Sequence, residues 1–386
     1  MWRDFSVSSV TAGFVAVLVG FTSSVVLIFQ AAQAAGANQA EIASWLGALC
    51  IGMGATSIGL SLYFKTPMLT AWSTPGAALL VTALVGVPLS DAIGAFIVSA
   101  VLITMCGVTG WFERVMDKLP QSIAAAMLAG VLLRFGMDAF VALQSEFVLV
   151  FSMFVGYLVF KRTSPRYVMV LVLGLGVVIA AFKGLIQAEA LSVGLTKPVL
   201  LTPTFSWSVI VGVALPLFVV TMASQNVPGA AVIRASGYQT PVSPLITWTG
   251  TASLVLAPFG AHGLNLAAIT AAICMGQEAH EDANKRYTAA VAAGVFYLLL
   301  GIFGATVAAL FAAFPEELIV AVAGLALLST IAGSLATAVK DDSSREAGLI
   351  TFLVTASGVT LLDIGSAFWG LLAGVMALLV LHWRRS

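Results

Sequence analysis

The chain has 386 residues, of which 60% are hydrophobic and only 9% are charged. Soluble domains average about 25% charged residues, so this chain has too few charges to cover a water-exposed surface of its size. Lys and Arg balance Asp and Glu at 17 each, which leaves no bulk positive charge to attract nucleic acid. Apolar runs of about 18 residues or more recur along the whole length, and they predict an all-α polytopic membrane protein.

Taken in chain order, the apolar runs predict about fourteen transmembrane spans, seven on each side of roughly residue 200. The first run follows "MWRDFSVSSV", which has no A-x-A cleavage pattern, so we interpret it as a retained span rather than a signal peptide. The approximate limits of the spans are 8–30, 42–62, 68–87, 91–111, 121–139, 146–160, 167–185, 207–233, 241–257, 263–277, 286–313, 316–339, 346–362 and 364–383.

The distribution of basic residues predicts the orientation of the chain. If the amino terminus is cytoplasmic and the spans alternate, the outer loops contain only Arg134, Lys183 and Lys197. Cytoplasmic loops carry an excess of Lys and Arg, so we expect both termini to be cytoplasmic. The remaining basic residues then fall on the cytoplasmic side: Arg3, Lys65, Arg114, Lys118, Lys161, Arg162, Arg166, Arg234, Lys285, Arg286, Lys340, Arg345, Arg384 and Arg385.

Two apolar runs are interrupted at corresponding places in the two halves. "TAWSTPGAALL" (70–80) breaks the third span, and "APFGAHGLN" (257–265) precedes and enters the tenth. With seven spans in each half, the second half enters the membrane from the opposite side, so related halves form an inverted repeat. A single Pro or Gly is commonly an ordinary kink in a membrane helix. Matched breaks in two halves indicate instead the central site of a transporter.

Each break can start a half-helix near the middle of the membrane. Ser73 or Thr74 can cap the first half-helix, with Pro75 in its first turn. A second half-helix can start from Gly263. Helix starts leave free N–H groups and a positive dipole end. In an inverted repeat the two positive ends would point toward each other, which favours an anion and in particular a small carboxylate.

The distribution of ionisable residues also favours an anionic substrate. Nearly all acidic residues fall in the predicted loops or at span ends, and no carboxylate lies plainly at a midplane. A carrier that couples a neutral solute to a cation usually places an acid there, so we expect the substrate itself to supply the negative charge. His262, beside the second break, is the candidate for proton coupling. The alternative is a histidine that only hydrogen-bonds the broken backbone.

Polar side chains near the breaks are the candidate ligands of the substrate. Ser224, Gln225 and Asn226 are consecutive in the eighth span, where they either face a substrate or hydrogen-bond neighbouring helices. We favour Gln225 as a ligand because its amide has two donors and an acceptor. Asn265 can cap the tenth-span half-helix or bind the ligand. Trp72 can stack on an aromatic substrate or fill the core.

The sequence lacks the usual features of an enzyme, a metal site or a cofactor site. Cys50, Cys106 and Cys274 lie far apart in apolar segments, where we interpret them as small buried hydrophobes. The charged stretches 278–286 and 340–346 are interpreted as solvated loops rather than metal sites. No G-x-S-x-G motif and no midplane acid pair is present. We therefore expect a transporter, with no metal and no cofactor.

Five long strings carry a resemblance to a known family: "TSSVVLIFQAAQAAGA", "TAWSTPGAALL", "MASQNVPG", "APFGAHGLNLAAITAAIC" and "AHEDANKRYTAAVAAGVFY". They span nearly the whole chain, which resembles the BenE-type benzoate–proton symporters. The resemblance implies uptake of benzoate or a related aromatic carboxylate with a proton, by alternating access across a bacterial inner membrane. Membrane lipids are the expected surroundings, and a homodimer is compatible with this assignment.

The same resemblance implies a fold shared with uracil permease and the sulfate/bicarbonate transporters. That fold has two inverted repeats of seven spans, with short strands before the half-helices, here about 66–73 and 257–262. It divides the chain into a core domain, 1–118 and 205–313, and a gate domain, 119–204 and 314–386. In related nucleobase permeases, glutamates of the eighth and tenth spans bind substrate and proton. This sequence has amides and a histidine at the comparable stretches, which suits an anionic ligand.

The predicted binding residues follow from the chemistry of the two breaks and from the family resemblance. Benzoate's carboxylate would lie between the two half-helix starts, with backbone approach at the glycines and apolar gate residues around the ring. The substrate-binding candidates are Ser73, Thr74, Gly76, Gln225, Asn226, Gly263 and Asn265. The alternatives are a carrier of another organic anion or a nucleobase, and a channel-like anion uniporter.

Overall fold

The computed structural model describes residues 4–22, 24–111, 121–187, 189, 192–277, 279–361 and 366–382. The predicted core–gate boundary at 118/119 and the basic residues Arg3, Arg114, Lys118, Arg384 and Arg385 lie outside these ranges. The main elements are α1 Val7–Thr22, α2 Val25–Ala34, α3 Gln39–Phe64, β1 Thr70–Trp72, α4 Thr74–Ala83, α5 Leu89–Val108, α6 Gln121–Val141, α7 Phe147–Thr163, α8 Val168–Phe182, α9 Trp207–Arg234, α10 Val242–Leu256, β2 Leu264–Leu266, α11 Ile269–Met275, α12 Tyr287–Ile302, α13 Gly304–Ala313, α14 Glu316–Ala338, α15 Arg345–Ala356 and α16 Ser366–His382.

The architecture is helical and of the membrane-spanning type. Within the described residues, eight helices are long and apolar enough to cross a membrane by length and composition. Most of the other predicted spans correspond to shorter helices such as α4 and α8. The eight are Val7–Ala34, Gln39–Phe64, Leu89–Val108, Gln121–Val141, Trp207–Arg234, Val242–Phe259, Ala283–Ile302 and Glu316–Ala338.

Small residues allow close helix packing. A Cβ atom added to Gly54 of α3 would lie 2.7 Å from the carbonyl oxygen of Gly294 in α12. The reciprocal Cβ on Gly294 would lie 2.9 Å from the Gly54 carbonyl oxygen. Helices in lipid gain little from the hydrophobic effect between them and depend on such close contact. The α3–α12 pair is therefore held by backbone-to-backbone approach that only glycine permits.

The two strands pair with each other in the interior of the bundle. β1 and β2 are antiparallel, with Thr70 opposite Leu266 and Trp72 opposite Leu264. Both strands are largely buried, so their backbone groups need partners inside the protein. A side chain outside the two strands supplies one such partner: Thr70 N–H donates a hydrogen bond of 3.0 Å to Ser57 Oγ. The pairing brings the two interrupted regions of the chain together.

The second break lies later in the chain than the sequence indicates. The expected strand at 257–262 is wrong: residues Ala257–Phe259 form a 3₁₀ turn, and β2 begins at Leu264. The helix that follows starts at Ile269 rather than at Gly263. Pro258 cannot donate a backbone hydrogen bond, and Gly260 adopts a left-handed φ of 99°, so α10 ends before the strand. The chain then needs the extended segment 261–268 to cross to α11.

Helix α9 contains two π-helical turns, Ile210–Ala214 and Met222–Asn226. Each is followed within two residues by a proline, Pro216 and Pro228 respectively. Proline lacks the N–H of the regular ladder and crowds the preceding turn, and a π-turn is one way for a helix to absorb this. The second π-turn contains the polar triplet predicted from the sequence, and it sets the direction of those side chains.

Candidate functional site

A cavity of about 430 Å³ lies where the two strand–helix connections meet. Its volume is within the range of small-molecule sites, about 300–1,000 Å³. None of the described residues that line it is charged. Its principal polar and aromatic lining residues are Ser24, Trp72, Thr74, Ser224, Gln225, Thr270, Tyr297 and Thr330.

The β1–α4 connection forms one wall of this cavity. Ser73 is the N-cap of α4, and its hydroxyl accepts a hydrogen bond of 3.0 Å from Gly76 N–H. Of the two caps that the sequence left open, Ser73 rather than Thr74 is the N-cap, and Pro75 lies in the first turn. Ser73 itself is fully buried, whereas Thr74 and Pro75 line the cavity. The positive end of α4 is thereby presented to the cavity through Thr74, while Ser73 shapes the helix start.

Gly76 lies away from the cavity. A Cβ atom at this position would lie 2.7 Å from Leu217 Cδ1 of α9 and 2.7 Å from Ser73 Oγ. Gly76 is not among the residues that line the cavity. The absence of a side chain there serves the contact between α4 and α9 and leaves room for the cap.

The polar triplet of α9 is divided by the π-turn. Ser224 and Gln225 are partly exposed and line the cavity. Asn226 points away from it: its Oδ1 accepts a hydrogen bond of 3.0 Å from Leu266 N–H, and its Nδ2 donates to Met222 Sδ at 3.2 Å. Gln225 therefore faces the space where a ligand can lie, and Asn226 attaches α9 to β2.

Gly263 and Asn265 form the bend before and within β2. The Gly263 carbonyl oxygen accepts hydrogen bonds from Ser73 N–H at 2.9 Å and from Asn265 Nδ2 at 2.8 Å. Asn265 is fully buried, and its Oδ1 has no hydrogen-bond partner among the described residues. Neither residue lines the cavity. The alternative that Asn265 caps the following half-helix is wrong, because Ala268 occupies the N-cap and no side chain bonds there.

His262 is enclosed by aromatic rings. Its ring centroid lies 5.8 Å from that of Trp45 and 5.0 Å from that of Phe96. Its Nδ1 is 3.2 Å from the Gly260 carbonyl oxygen, and its Nε2 is buried with no hydrogen-bond partner in the described chain. His262 is not among the cavity-lining residues. The imidazole thus contacts the bend of the break and does not line the cavity.

Trp72 combines the two roles that the sequence left open. It is 3% exposed, so most of its ring packs in the core, yet the ring also lines the cavity. Its indole N–H donates to Ser24 Oγ at 2.8 Å, and its ring centroid lies 5.5 Å from that of Phe21. These contacts hold the ring in one orientation at the cavity wall.

The opposite wall was not identified from the sequence beyond an expectation of apolar gate residues. It consists of Pro165 in the turn before α8, of Val168 and Met169 at the start of α8, and of Leu327 and Thr330 in α14. Leu327 and Thr330 are three residues apart, so they lie on one face of the helix. That spacing was visible in the sequence, but no local signal distinguishes a cavity-facing stripe from one that faces another helix.

Comparison with known proteins identifies the family. The family model described as benzoate membrane transport protein (BenE) matches residues 3–380. The chain is 50% identical over 382 residues to the inner membrane protein YdcO of Escherichia coli K12, covering 98% of both chains. It is 43% identical over 379 residues to the benzoate membrane transport protein of Acinetobacter baylyi, covering 98% of this chain and 96% of that one. The chain belongs to the benzoate membrane transport family.

Solved structures of anion transporters share the fold. The chain aligns with the structure of SLC26A9 with a TM-score of 0.65 at 12% identity, covering 99% of this chain and 66% of that one. It aligns with the transmembrane domain of the cyanobacterial bicarbonate transporter BicA with a TM-score of 0.60 at 11% identity, covering 97% and 98%. At such low identity the similarity concerns the fold alone. This member of the benzoate transport family is an integral membrane protein with multiple spans and a transporter, not an enzyme.

Proposed function

We propose that this chain is a secondary transporter that imports benzoate or a related aromatic carboxylate together with a proton, by alternating access across a bacterial inner membrane. The observation that carries the proposal is the uncharged cavity that contains both the start of α4 and the Gln225 side chain. An anion needs hydrogen-bond donors without a fixed negative charge beside them, and the described residues that line this cavity include donors and no carboxylate. Family membership supports the same substrate class.

In the proposed complex the carboxylate lies at the start of α4. The Thr74 hydroxyl and the positive end of the helix face it. The Gln225 amide and the Ser224 hydroxyl approach from α9 as further donors. Hydrogen bonds to a charged acceptor are the strong ones, about 1.5–3 kcal/mol each.

The aromatic ring of the substrate occupies the apolar part of the cavity. Val168 and Met169 of α8 and Leu327 of α14 supply aliphatic and thioether surface there. Trp72 is available for an offset or edge contact with the ring. A cavity with donors at one wall and apolar side chains at the other suits an aromatic carboxylate better than an inorganic anion.

The remaining predicted site residues have supporting places in this proposal. Ser73 and Gly263 join the two breaks, and Asn226 and Asn265 hold the backbone around them. Gly76 gives room for α4 against α9. In this proposal these residues hold the shape of the site and do not contact the substrate, whereas the sequence predicted direct binding.

The proposal includes the larger architecture expected from the sequence. Fourteen spans form two inverted repeats of seven, with broken third and tenth spans and both termini in the cytoplasm. Residues 1–118 and 205–313 form the core, and 119–204 and 314–386 form the gate. In this arrangement the cavity lies between the two domains, so that relative movement of core and gate exposes it to each side in turn. The fold similarity to SLC26A9 and BicA supports this division.

His262 is the proposed proton-coupling residue. Its Nε2 is buried without a partner, and its Nδ1 contacts the bend that leads to β2. A change of protonation at this ring would be transmitted to the second break through Gly260 and Gly263. His262→Gln keeps a polar side chain without a titrating ring, and it should flatten the pH dependence of uptake. An unchanged pH profile in a variant that still transports would remove His262 from the coupling mechanism.

Reconstitution tests the function directly. Purified protein in liposomes, given radiolabelled benzoate and an inward proton gradient, should accumulate benzoate above its equilibrium level, and a protonophore should abolish accumulation. A panel of salicylate, uracil, xanthine and bicarbonate as competitors separates an aromatic-carboxylate carrier from a nucleobase or inorganic-anion carrier. Saturable benzoate binding without gradient-driven accumulation would contradict symport, and large non-saturating currents would indicate a channel.

A further inference from the structure

Two more cavities continue from the substrate cavity along helix α14. The second, of about 370 Å³, shares Ser224, Pro228 and Thr330 with the first. The third, of about 520 Å³, shares Gln121 and Thr337 with the second. Together they form a series of adjacent cavities between the site and the loop that joins α14 to α15.

One wall of the second cavity is a row of hydroxyl groups on α14. Thr330, Ser334 and Thr337 are four and three residues apart, so they lie on one face of the helix and all line the cavity. Lys340 follows after another three residues and lines the third cavity together with Asp341. The row therefore runs from the substrate cavity to a charged mouth.

Ser334 is the central member of this row and its most distinctive one. It is 8% exposed, and its hydroxyl makes no hydrogen bond with another part of the described chain. A serine within a helix normally satisfies its hydroxyl by bonding the carbonyl of the preceding turn. Thr337 does so, since its Oγ1 donates to the Gly333 carbonyl oxygen at 2.9 Å. Ser334 lines the cavity, so its hydroxyl is available to whatever occupies that space.

The facing wall is mostly apolar. Ala124, Ala125 and Leu128 of α6 and Val227 of α9 form it. The Gln121 amide stands at the far end, where the second and third cavities meet. None of the described residues that line the second cavity is charged. The cavity thus offers hydroxyl and amide donors on one side and hydrocarbon on the other, at a volume within the range of small-molecule sites.

We propose that the second cavity is a further binding site for the transported aromatic carboxylate, occupied on the way between the substrate cavity and the α14–α15 loop. This inference rests on the proposed function. The substrate carboxylate accepts a hydrogen bond from Ser334, and the substrate ring lies against Leu128 and Val227. Thr330 lines both cavities and can donate a hydrogen bond to the carboxylate as the substrate moves from the first cavity to the second.

Thiol labelling tests whether substrate occupies this second site. The native cysteines Cys50, Cys106 and Cys274 are buried, so a Ser334→Cys variant should react with sulfonatoethyl methanethiosulfonate, an anionic reagent, well above the wild-type background. Benzoate at ten times the concentration that halves the labelling rate should slow this reaction about tenfold, because it then occupies most of the sites. The matched control is Ala332→Cys, on the same helix but exposed and outside all three cavities; its labelling should not depend on benzoate.

A measurement of benzoate exchange distinguishes occupancy of the second cavity from a conformational change elsewhere in the protein. Ser334→Ala should lower benzoate exchange in proteoliposomes severalfold while equilibrium binding to the substrate cavity is unchanged, and Ser334→Thr should restore exchange. Ala332→Ser, at an exposed position of the same helix outside all three cavities, should exchange at the wild-type rate. Equal labelling of the Ser334→Cys variant with and without benzoate, or wild-type exchange by Ser334→Ala, would overturn the second site. Absence of benzoate binding by the wild-type chain would instead contradict the proposed function itself.

Discussion

The backbone N–H of Ser73 donates a hydrogen bond of 2.9 Å to the carbonyl oxygen of Gly263. These two residues belong to the two interrupted regions of the chain, 190 positions apart in the sequence, and the bond continues the pairing of β1 with β2 beyond the strands. Broken backbone inside a membrane protein must find partners within the protein. Each break therefore supplies backbone hydrogen-bond partners to the other. The start of α4 is positioned by the opposite half of the chain.

The first prediction concerns the cap of α4. Ser73→Ala removes the acceptor of the Gly76 N–H and should destabilise the protein by about 1 kcal/mol, the usual loss for an N-cap serine. Because α4 begins at the cavity, benzoate affinity should fall as well. The control is Thr82→Ala in the same helix, whose hydroxyl donates only to the Leu79 carbonyl oxygen. Thermal unfolding and benzoate titration in detergent measure both effects; equal behaviour of the two variants would contradict the role of the cap.

The second prediction concerns the bend at Gly263. This residue has a φ of 57°, and an added Cβ would lie 3.1 Å from Ser73 Cβ and 3.1 Å from Thr221 Oγ1. Gly263→Ala should therefore lose about 1–2 kcal/mol from the backbone conformation, with a further loss from the tight contacts. Gly59→Ala in α3 is the matched control, since its Cβ would meet no atom within 4 Å. That control should be neutral or more stable in thermal unfolding, because alanine favours the helix.

The existence of both breaks was readable from local chemistry, but the limits and internal geometry of the second were not. Ser73 and Pro75 carry the pattern of a helix start, and α4 begins where that pattern predicts. After Pro258 the glycines allow either an immediate helix at Gly263 or a longer extended segment. Because β2 pairs with β1, whose residues lie 192 to 196 positions earlier, the segment is extended and α11 begins only at Ile269. Such long-range pairing leaves no local signal.

The side-chain directions in the polar triplet of α9 were likewise not predictable from the sequence. Ser224, Gln225 and Asn226 were all reasonable ligands from their chemistry. The π-turn Met222–Asn226 places one additional residue in a helical turn, so directions assigned from a regular 3.6-residue period do not hold there. Gln225 faces the cavity, while Asn226 reaches Leu266 of β2. The prolines that accompany the π-turns were visible, but proline alone does not distinguish a π-turn from a kink.

The third prediction concerns Gln225 as a donor to the substrate. Gln225→Ala should weaken benzoate binding by about 1.5–3 kcal/mol, the range for a hydrogen bond to a charged group, which is at least tenfold in Kd. Gln225→Glu should weaken binding further, because the new carboxylate repels the substrate carboxylate. Isothermal titration on folded, monodisperse protein measures these changes. Wild-type affinity in the Gln225→Glu variant would exclude Gln225 from the carboxylate end of the site.

The fourth prediction separates Asn226 from its neighbour. Asn226→Ala leaves the buried Leu266 N–H without its acceptor, and an unpaired buried donor costs about 1–3 kcal/mol. Protein stability should fall by that amount, whereas protein that remains folded should bind benzoate far better than the Gln225→Glu variant does. Thermal unfolding and titration of both variants give the comparison. Loss of affinity with unchanged stability would reverse the assigned roles.

The last prediction concerns pH and the attachment of the amino-terminal segment. Tyr287 OH donates to Asp4 Oδ2 at 2.7 Å, and this hydrogen bond lowers the pKa of Asp4 from its ordinary value of 3.8. A carboxyl whose folded-state pKa is lowered stabilises the folded state above its ordinary pKa, and that contribution is lost as the pH falls through the folded-state value. Tyr287→Phe removes the donor but retains the ring beneath Lys65 Nζ, which lies 4.7 Å from the ring centroid. The melting temperature of wild type should therefore exceed that of Tyr287→Phe at neutral pH, and the difference should shrink as the pH falls below about 3.8. A difference that stays constant through this range would show that Asp4 ionisation does not contribute.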